Sequence, residues 1–218
     1  IQLKRRIMAG QLKQFQREAL LRMNDGLLEK VPGARKTAQA FFRKLTRLLY
    51  EALGADKAQP GSRHRYRPEQ NLFEPIEQQY SKLFEDITEI KKRLAELLEY
   101  FTDVPEDSFE YQRQLFQEIS SKHMQADLLI RNIQILIRQK EEGFVYWFEL
   151  PNRADSDDTR LYAAPLDVGE HLEERLFNSL RTAVFTSATL AVGQTFDYFR
   201  RRIGLDRVNP DRVHELML

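Results

Sequence analysis

The chain has 218 residues, 42% hydrophobic and 31% charged, with a formal net charge of +1 and a mean hydropathy of -0.57. That composition describes a globular chain long enough for one large domain or two small ones, and it excludes a disordered one. No run of about 18 apolar residues could cross a membrane and no secretory signal pattern is present; the absence of cysteine rules out disulfides, cysteine-ligated zinc and an iron–sulfur cluster within these residues, as fits a cytoplasmic protein. The chain opens on Ile1 rather than Met and stops at "HELML" without a polar tail, so it is expected to be a piece of something longer.

Charge is unevenly spread. Residues 1–70 carry 16 basic and 6 acidic side chains, against 18 and 27 over residues 71–218, a balance of +10 and -9. Such halves should meet different partners. The basic part holds "LKRR" (Lys4, Arg5, Arg6), a periodic set Arg35, Lys36, Arg43, Lys44 and Arg47, and "SRHRYRP" with Arg63, His64, Arg65 and Arg67 around Tyr66. Phosphate backbones attract such clusters through charge and counterion release, and an interleaved aromatic can stack on a base. The same residues also fit a solvated helix face and a basic loop.

In chain order, the first segment has helical periodicity to about Lys30, broken by Gly10 and stopped by Val31, Pro32 and Gly33. A second amphipathic helix is expected from Arg35 to Leu53, with Phe41, Phe42, Leu45, Leu48 and Leu49 inward and Gly54 ending it. Residues 55–70 read as a polar loop containing Pro60, Gly61 and Pro68.

A heptad seam follows through Ile76, Tyr80, Leu83, Ile87, Ile90, Leu94, Leu97 and Phe101. After "TDVPEDS", where Asp103 suits an N-cap and Pro105 a first helical turn, a second seam runs through Phe109, Gln112, Phe116, Ile119, His123, Ala126, Ile130, Ile133 and Ile137. So short a connection makes the arms antiparallel, giving a long helical hairpin over about residues 75–140 with arms about 40–50 Å long. His123 reads as a structural histidine, since no second ligand stands at metal spacing on its face.

Beyond Gly143 the pattern changes. "FVYWFELP" and "TRLYAAPLDV", separated by "NRADSDD", predict a β-hairpin or two neighbouring strands, and "GEHLEERLFNSL" an amphipathic helix through His171, Leu172, Leu176, Phe177 and Leu180. "AVFTSATL" then reads as a strand of a parallel sheet, apolar at Val184 and Phe185 and carrying Thr186, Ser187 and Thr189 at its carboxyl end, where open α/β sheets handle ligands. The expected fold class is mainly α with a smaller α/β part.

The succession "PLDVGEHLEERLF", "AVFTSATL", "FDYFRRRIGL" resembles the closing part of the first motor domain of DinG-type helicases, relatives of the XPD group in superfamily 2. The resemblance makes Ser187, Ala188 and Thr189 the third helicase motif. It makes residues 142–218 the end of a RecA-like motor domain with a parallel sheet, and residues 1–141 an Arch-like helical insertion. It implies an intact parent that uses ATP and magnesium to unwind DNA from single-stranded tails, together with the remaining motor domains of the same polypeptide. In that family the hydroxyls of Ser187 and Thr189 would be relays between nucleotide and DNA sites; no G-x-S-x-G elbow or neighbouring His and Asp suggests a nucleophile. This stretch contains neither a G-x-x-x-x-G-K-[ST] loop nor a DEAH box, and "GARKT" at Gly33–Thr37 lacks the glycine–lysine pair, so the fragment alone is expected to bind no nucleotide and to be inactive as an ATPase. The alternative reading is a coiled-coil adaptor without enzymatic activity, which accounts for the heptads and leaves "TSATL" without a purpose.

Overall fold

The computed structural model describes Arg5, Ile7, Met8 and residues 12–54, 56–106 and 108–217. Two compact units divide the chain: Ile1–Lys140 with Tyr146–Ala163, and Glu141–Val145 with Ala164–Leu218.

In the first unit, helix α1 spans Gln14–Leu53 and closes at Gly54, whose φ of 72° lets its N–H reach the Tyr50 carbonyl at 3.2 Å. The stop expected at Val31–Gly33 does not occur, because Pro32 lies inside this one continuous helix. A proline in a helix interior costs about 3 kcal/mol. Packing on both sides outweighs it: Leu20 and Asn24 are buried upstream, and Ala34, Phe41, Leu45, Thr46 and Leu49 downstream. Each large apolar side chain so buried contributes about 1.5–3 kcal/mol. The break expected at Gly10 lies outside the described residues.

The segment expected to be a polar loop contains strand β1, Arg63–Tyr66. It pairs antiparallel with β2, Phe144–Glu149, in the register Arg63↔Glu149, His64↔Phe148, Arg65↔Trp147, Tyr66↔Tyr146. Strand β3, Arg160–Pro165, completes a three-stranded sheet of order β1-β2-β3. Alternation along the strands sends His64, Tyr66, Tyr146 and Phe148 to the inner face and Arg63, Arg65, Trp147 and Glu149 to the outer one. Tyr66 Oη ties the inner face to the helices by donating to the Leu136 carbonyl (3.0 Å), and the chain just outside β2 and β3 is tied to α1, where Tyr50 Oη donates to the Pro151 carbonyl (2.7 Å) and the Thr46 and Thr159 hydroxyls lie 2.6 Å apart in the core.

Helices α2 (Glu77–Thr102) and α3 (Gln112–Arg138) form the expected antiparallel hairpin. All but Ile90 of the first seam is buried. At the turn end Leu94, Leu97, Phe101, Val104, Phe109, Leu115 and Ile119 cluster with Leu12 and Leu20. At the base Arg138 pairs with Glu77 (2.6 and 2.8 Å) and lies 4.5 Å over the Tyr80 ring, which holds the two arms in register. Two local expectations are corrected. Asp103 is the C-cap of α2 rather than an N-cap, because α3 begins only at Gln112, whose side-chain amide fastens the turn by accepting from the Ser108 N–H (2.9 Å) and donating to the Val104 carbonyl (3.4 Å). Phe116 is exposed while its neighbour Leu115 fills the seam. Mid-hairpin the second arm offers only half-buried His123, Ala126 and Ile130, and there Asp127 pairs across the arms with Lys91 and along its own helix with Arg131.

The second unit contains α4 (Gly169–Leu172), continued by a π-helical turn at Glu173–Phe177, and α5 (Asp197–Ile203). The parallel strand expected at "AVFTSATL" is absent: residues 182–187 are irregular, and Val184 and Phe185 are 83% and 43% exposed. Among the described residues the sheet is antiparallel and no strand lies beside this segment, so its backbone lacks the partner that a parallel strand requires.

Candidate functional site

The three stretches that carry the helicase resemblance come together in the second unit. Phe177 of the first meets Phe185 of the second edge to face, with ring centroids 6.2 Å apart, and Phe185 meets Phe199 of the third at 5.5 Å. A backbone contact reinforces this. Gly169 and Gly204 approach so closely that a Cβ built on Gly169 would stand 2.8 Å from the Gly204 Cα. Around that contact Asp167 accepts from the Gly169 N–H (2.8 Å) through one oxygen and from Arg207 (2.8 Å) through the other. Arg212 donates to the carbonyls of Phe177 (3.2 Å) and Leu180 (3.4 Å), closing the end of the π turn.

Out of this packed base rises the turn bearing Ser187, Ala188 and Thr189, all three exposed. Ser187 Oγ accepts from the Thr189 N–H (3.2 Å) and lies 3.1 Å from Thr189 Oγ1. The hydroxyls therefore hold each other and keep hydrogen-bonding capacity toward solvent. Among the described residues no histidine or carboxylate hydrogen-bonds to Ser187, so nothing in this arrangement activates it as a nucleophile.

The basic candidates fall in the first unit. Arg35, Lys36, Arg43 and Arg47 are exposed on α1, and helical spacing puts Lys36, Arg43 and Arg47 on one face over about 16 Å. Lys44, to one side, donates to Gln79 (2.9 Å). Arg43 has an acidic neighbour: the hydrogen bond from Arg153 holds the Asp155 carboxyl below the usual range, and Arg43 adds a weaker pull. On the sheet Arg63 is paired with Glu149 at 3.0 Å, whereas exposed Arg65 and Arg67 make no ion pair among the described residues. Lys4 and Arg6 lie outside the described residues.

Tyr66 is not the exposed stacking residue that its position among arginines suggested. It is 2% exposed, its ring packs edge to face on Phe73, and burial, with Tyr146 adding, pushes its phenol well above the usual range. Alternation within a four-residue strand turns Arg63 and Arg65 outward and Tyr66 inward. The basic-aromatic alternation of "RHRY" was the signal for this, and it is the pattern of a half-buried strand.

The Gly33–Thr37 stretch does not form a phosphate-binding loop. Gly33–Thr37 lies within α1, where backbone N–H groups serve the helix and cannot cradle phosphates, and the Thr37 hydroxyl donates to the Gly33 carbonyl (3.2 Å). Among the described residues no three His, Asp or Glu side chains converge as a metal site.

Comparison with known proteins gives two partial similarities. One is to the 3'-5' exonuclease DinG of Bacillus subtilis, 30% identical over 80 residues, which are 37% of this chain and 9% of that protein. The other is to the ATP-dependent DNA helicase YoaA of Haemophilus influenzae, 32% identical over 81 residues, 35% of this chain and 12% of that protein. The chain thus matches about a tenth of the length of these curated relatives. No family model and no solved structure matches it. Over the matched part, the chain is related to DinG-like helicases.

Proposed function

We propose that the chain is the Arch-like insertion and the end of the first motor domain of an ATP-dependent DNA helicase, serving its parent as a DNA-contacting and coupling part. The observation that carries this reading is the meeting of Phe177, Phe185 and Phe199, one from each resembling stretch, beneath a turn that exposes Ser187 and Thr189. In this reading residues 1–141 form the insertion and residues 142–218 the motor-domain part, while ATP and magnesium bind elsewhere in the parent. Arg35, Lys36, Arg43, Arg63, Arg65 and Arg67 face the phosphates of a single-stranded tail. Ser187 and Thr189 pass hydrogen bonds between the nucleotide site and the DNA path without joining the chemistry.

The test uses the intact parent with Ser187→Ala and Thr189→Ala combined. Nucleotide affinity is expected to stay, and strand displacement to fall much further than ATP hydrolysis. A relay bond is worth about 0.5–1.5 kcal/mol net, and its loss weakens the link between two sites. Parallel loss of both activities with a lowered melting temperature refutes the coupling role.

A further inference from the structure

The outer face of the sheet carries a feature that the basic clusters do not explain. Trp147 of β2 and Tyr162 of β3 stack face to face, with centroids 5.1 Å apart and planes 3° from parallel. Both are half-buried, so part of each ring reaches solvent. Arg65 stands directly opposite Trp147 on β1, and Arg160 lies two residues from Tyr162 on the same face of β3. Glu149 is the acidic group of this face, and it is flanked by Arg63 at 3.0 Å and Arg160 at 3.9 Å. Three arginines against one glutamate leave a positive surplus around a flat aromatic pair, with Asp155, Asp157 and Asp158 of the β2–β3 turn beyond the strand ends.

A cross-strand aromatic pair stabilises a sheet wherever it occurs. The pairing with unneutralised arginine is what adds a ligand to the argument. A nucleobase has an apolar π-face beside a phosphate, and a stacking ring beside a guanidinium matches both at once. Tyr162 lies on β3, an edge strand, so a base can continue the Trp147–Tyr162 stack past the edge while Arg160 and Arg65 meet the flanking phosphates. We infer that the outer face formed by Trp147, Tyr162, Arg65 and Arg160 is a stacking platform for single-stranded nucleic acid. This deepens the DNA-contacting reading above and rests on it.

Trp147 is the only tryptophan, so its emission reports this face alone. The experiment titrates the whole chain with an oligothymidylate of about 15 nucleotides, following anisotropy of an end label and, with unlabelled strand, Trp147 emission. Expected are quenching that saturates at the affinity given by anisotropy, binding about tenfold weaker for Tyr162→Leu, retained binding for Tyr162→Phe, and a shallower salt dependence for Arg65→Ala. Leu keeps the apolar bulk across the strands, so equal melting temperatures of the two Tyr162 variants separate stacking from folding. Labelled strand that binds without changing Trp147 emission, or binds Tyr162→Leu as tightly as Tyr162→Phe, overturns the platform and leaves DNA contact to the other arginines. Absence of binding even at low salt overturns the platform and the DNA-contacting reading together.

Discussion

Replacing Gly204 by alanine tests the glycine contact beneath the Ser187–Thr189 turn. Gly204 has a φ of 77°, a left-handed conformation that costs an L-residue about 1–2 kcal/mol. Its new Cβ would also run into the Gly169 carbonyl oxygen and lie 2.6 Å from the Gly169 Cα, where ordinary contact begins at 3.4 Å, so the two backbones must part by at least about 0.8 Å. Overpacking of this kind costs about 1–3 kcal/mol, which brings the expected loss to about 2–5 kcal/mol. Gly169→Ala meets the clash without the dihedral penalty and should lose only about 1–3 kcal/mol. Gly33→Ala is the control: nothing lies within 4 Å of its Cβ, and in a helix alanine is favoured over glycine by about 1 kcal/mol. Because Gly204 and Trp147 belong to different units, the loss should appear as faster amide exchange over residues 164–217 with an unchanged melting transition in Trp147 emission. Unchanged exchange in Gly204→Ala, or an equal fall of the Trp147 transition, would refute the reasoning.

Pro32→Ala restores the hydrogen bond to the Leu28 carbonyl within α1 and should stabilise the first unit by about 2 kcal/mol, read as a higher melting temperature in Trp147 emission; no rise means the helix has adapted fully to the proline. Thr46→Val should cost more than Thr159→Val in denaturant titration. The first strands a buried hydroxyl, at about 1–3 kcal/mol, while the second leaves Thr46 donating to the Phe42 carbonyl at 2.9 Å and loses about 0.5–1.5 kcal/mol; the reverse order would contradict this bonding. Hydrogen bonds from Lys91 and then Arg131 hold the Asp127 carboxyl below its usual range. Its contribution is therefore present above the unfolded carboxylate value of about 3.9 and is lost as pH falls through the lower folded value, so Asp127→Asn should flatten the acid limb of a stability-against-pH curve, and an unchanged limb would refute the pairing.

The hairpin was legible because its signal is local and repeated: apolar residues at steps of three and four bury one seam whatever else surrounds them. Pro32 misled for the opposite reason, since local propensity marks a stop there while distant packing carries the helix through. Strand β1 is four residues long and its partner lies about 80 positions away, so only the alternation of arginine with histidine and tyrosine betrayed it. For the site, charge picked out the cluster of Arg63, Arg65 and Arg67, but that Glu149 pairs with the first of them, and which way Tyr66 faces, are decided by register with β2. The Trp147–Tyr162 stack is a relation between two strands, and neither residue announces it alone.

The pairing of β1 with β2 also orders the folding of the first unit. Both hairpin arms lie between these strands in sequence, so closing Tyr66 onto Tyr146 through an unfolded chain would bring together ends about 80 residues apart, at an entropic cost of about 3.9 kcal/mol in its length-dependent part. Once α2 and α3 have zipped together from their turn to the Glu77–Arg138 pair, only 17 residues, 67–76 and 139–145, separate Tyr66 from Tyr146 and that part falls to about 2.5 kcal/mol. The difference corresponds to roughly a tenfold faster closure. Substitutions that loosen the Leu97–Phe101–Leu115 end of the hairpin should therefore slow formation of a sheet they do not touch, seen as delayed recovery of Trp147 emission in refolding.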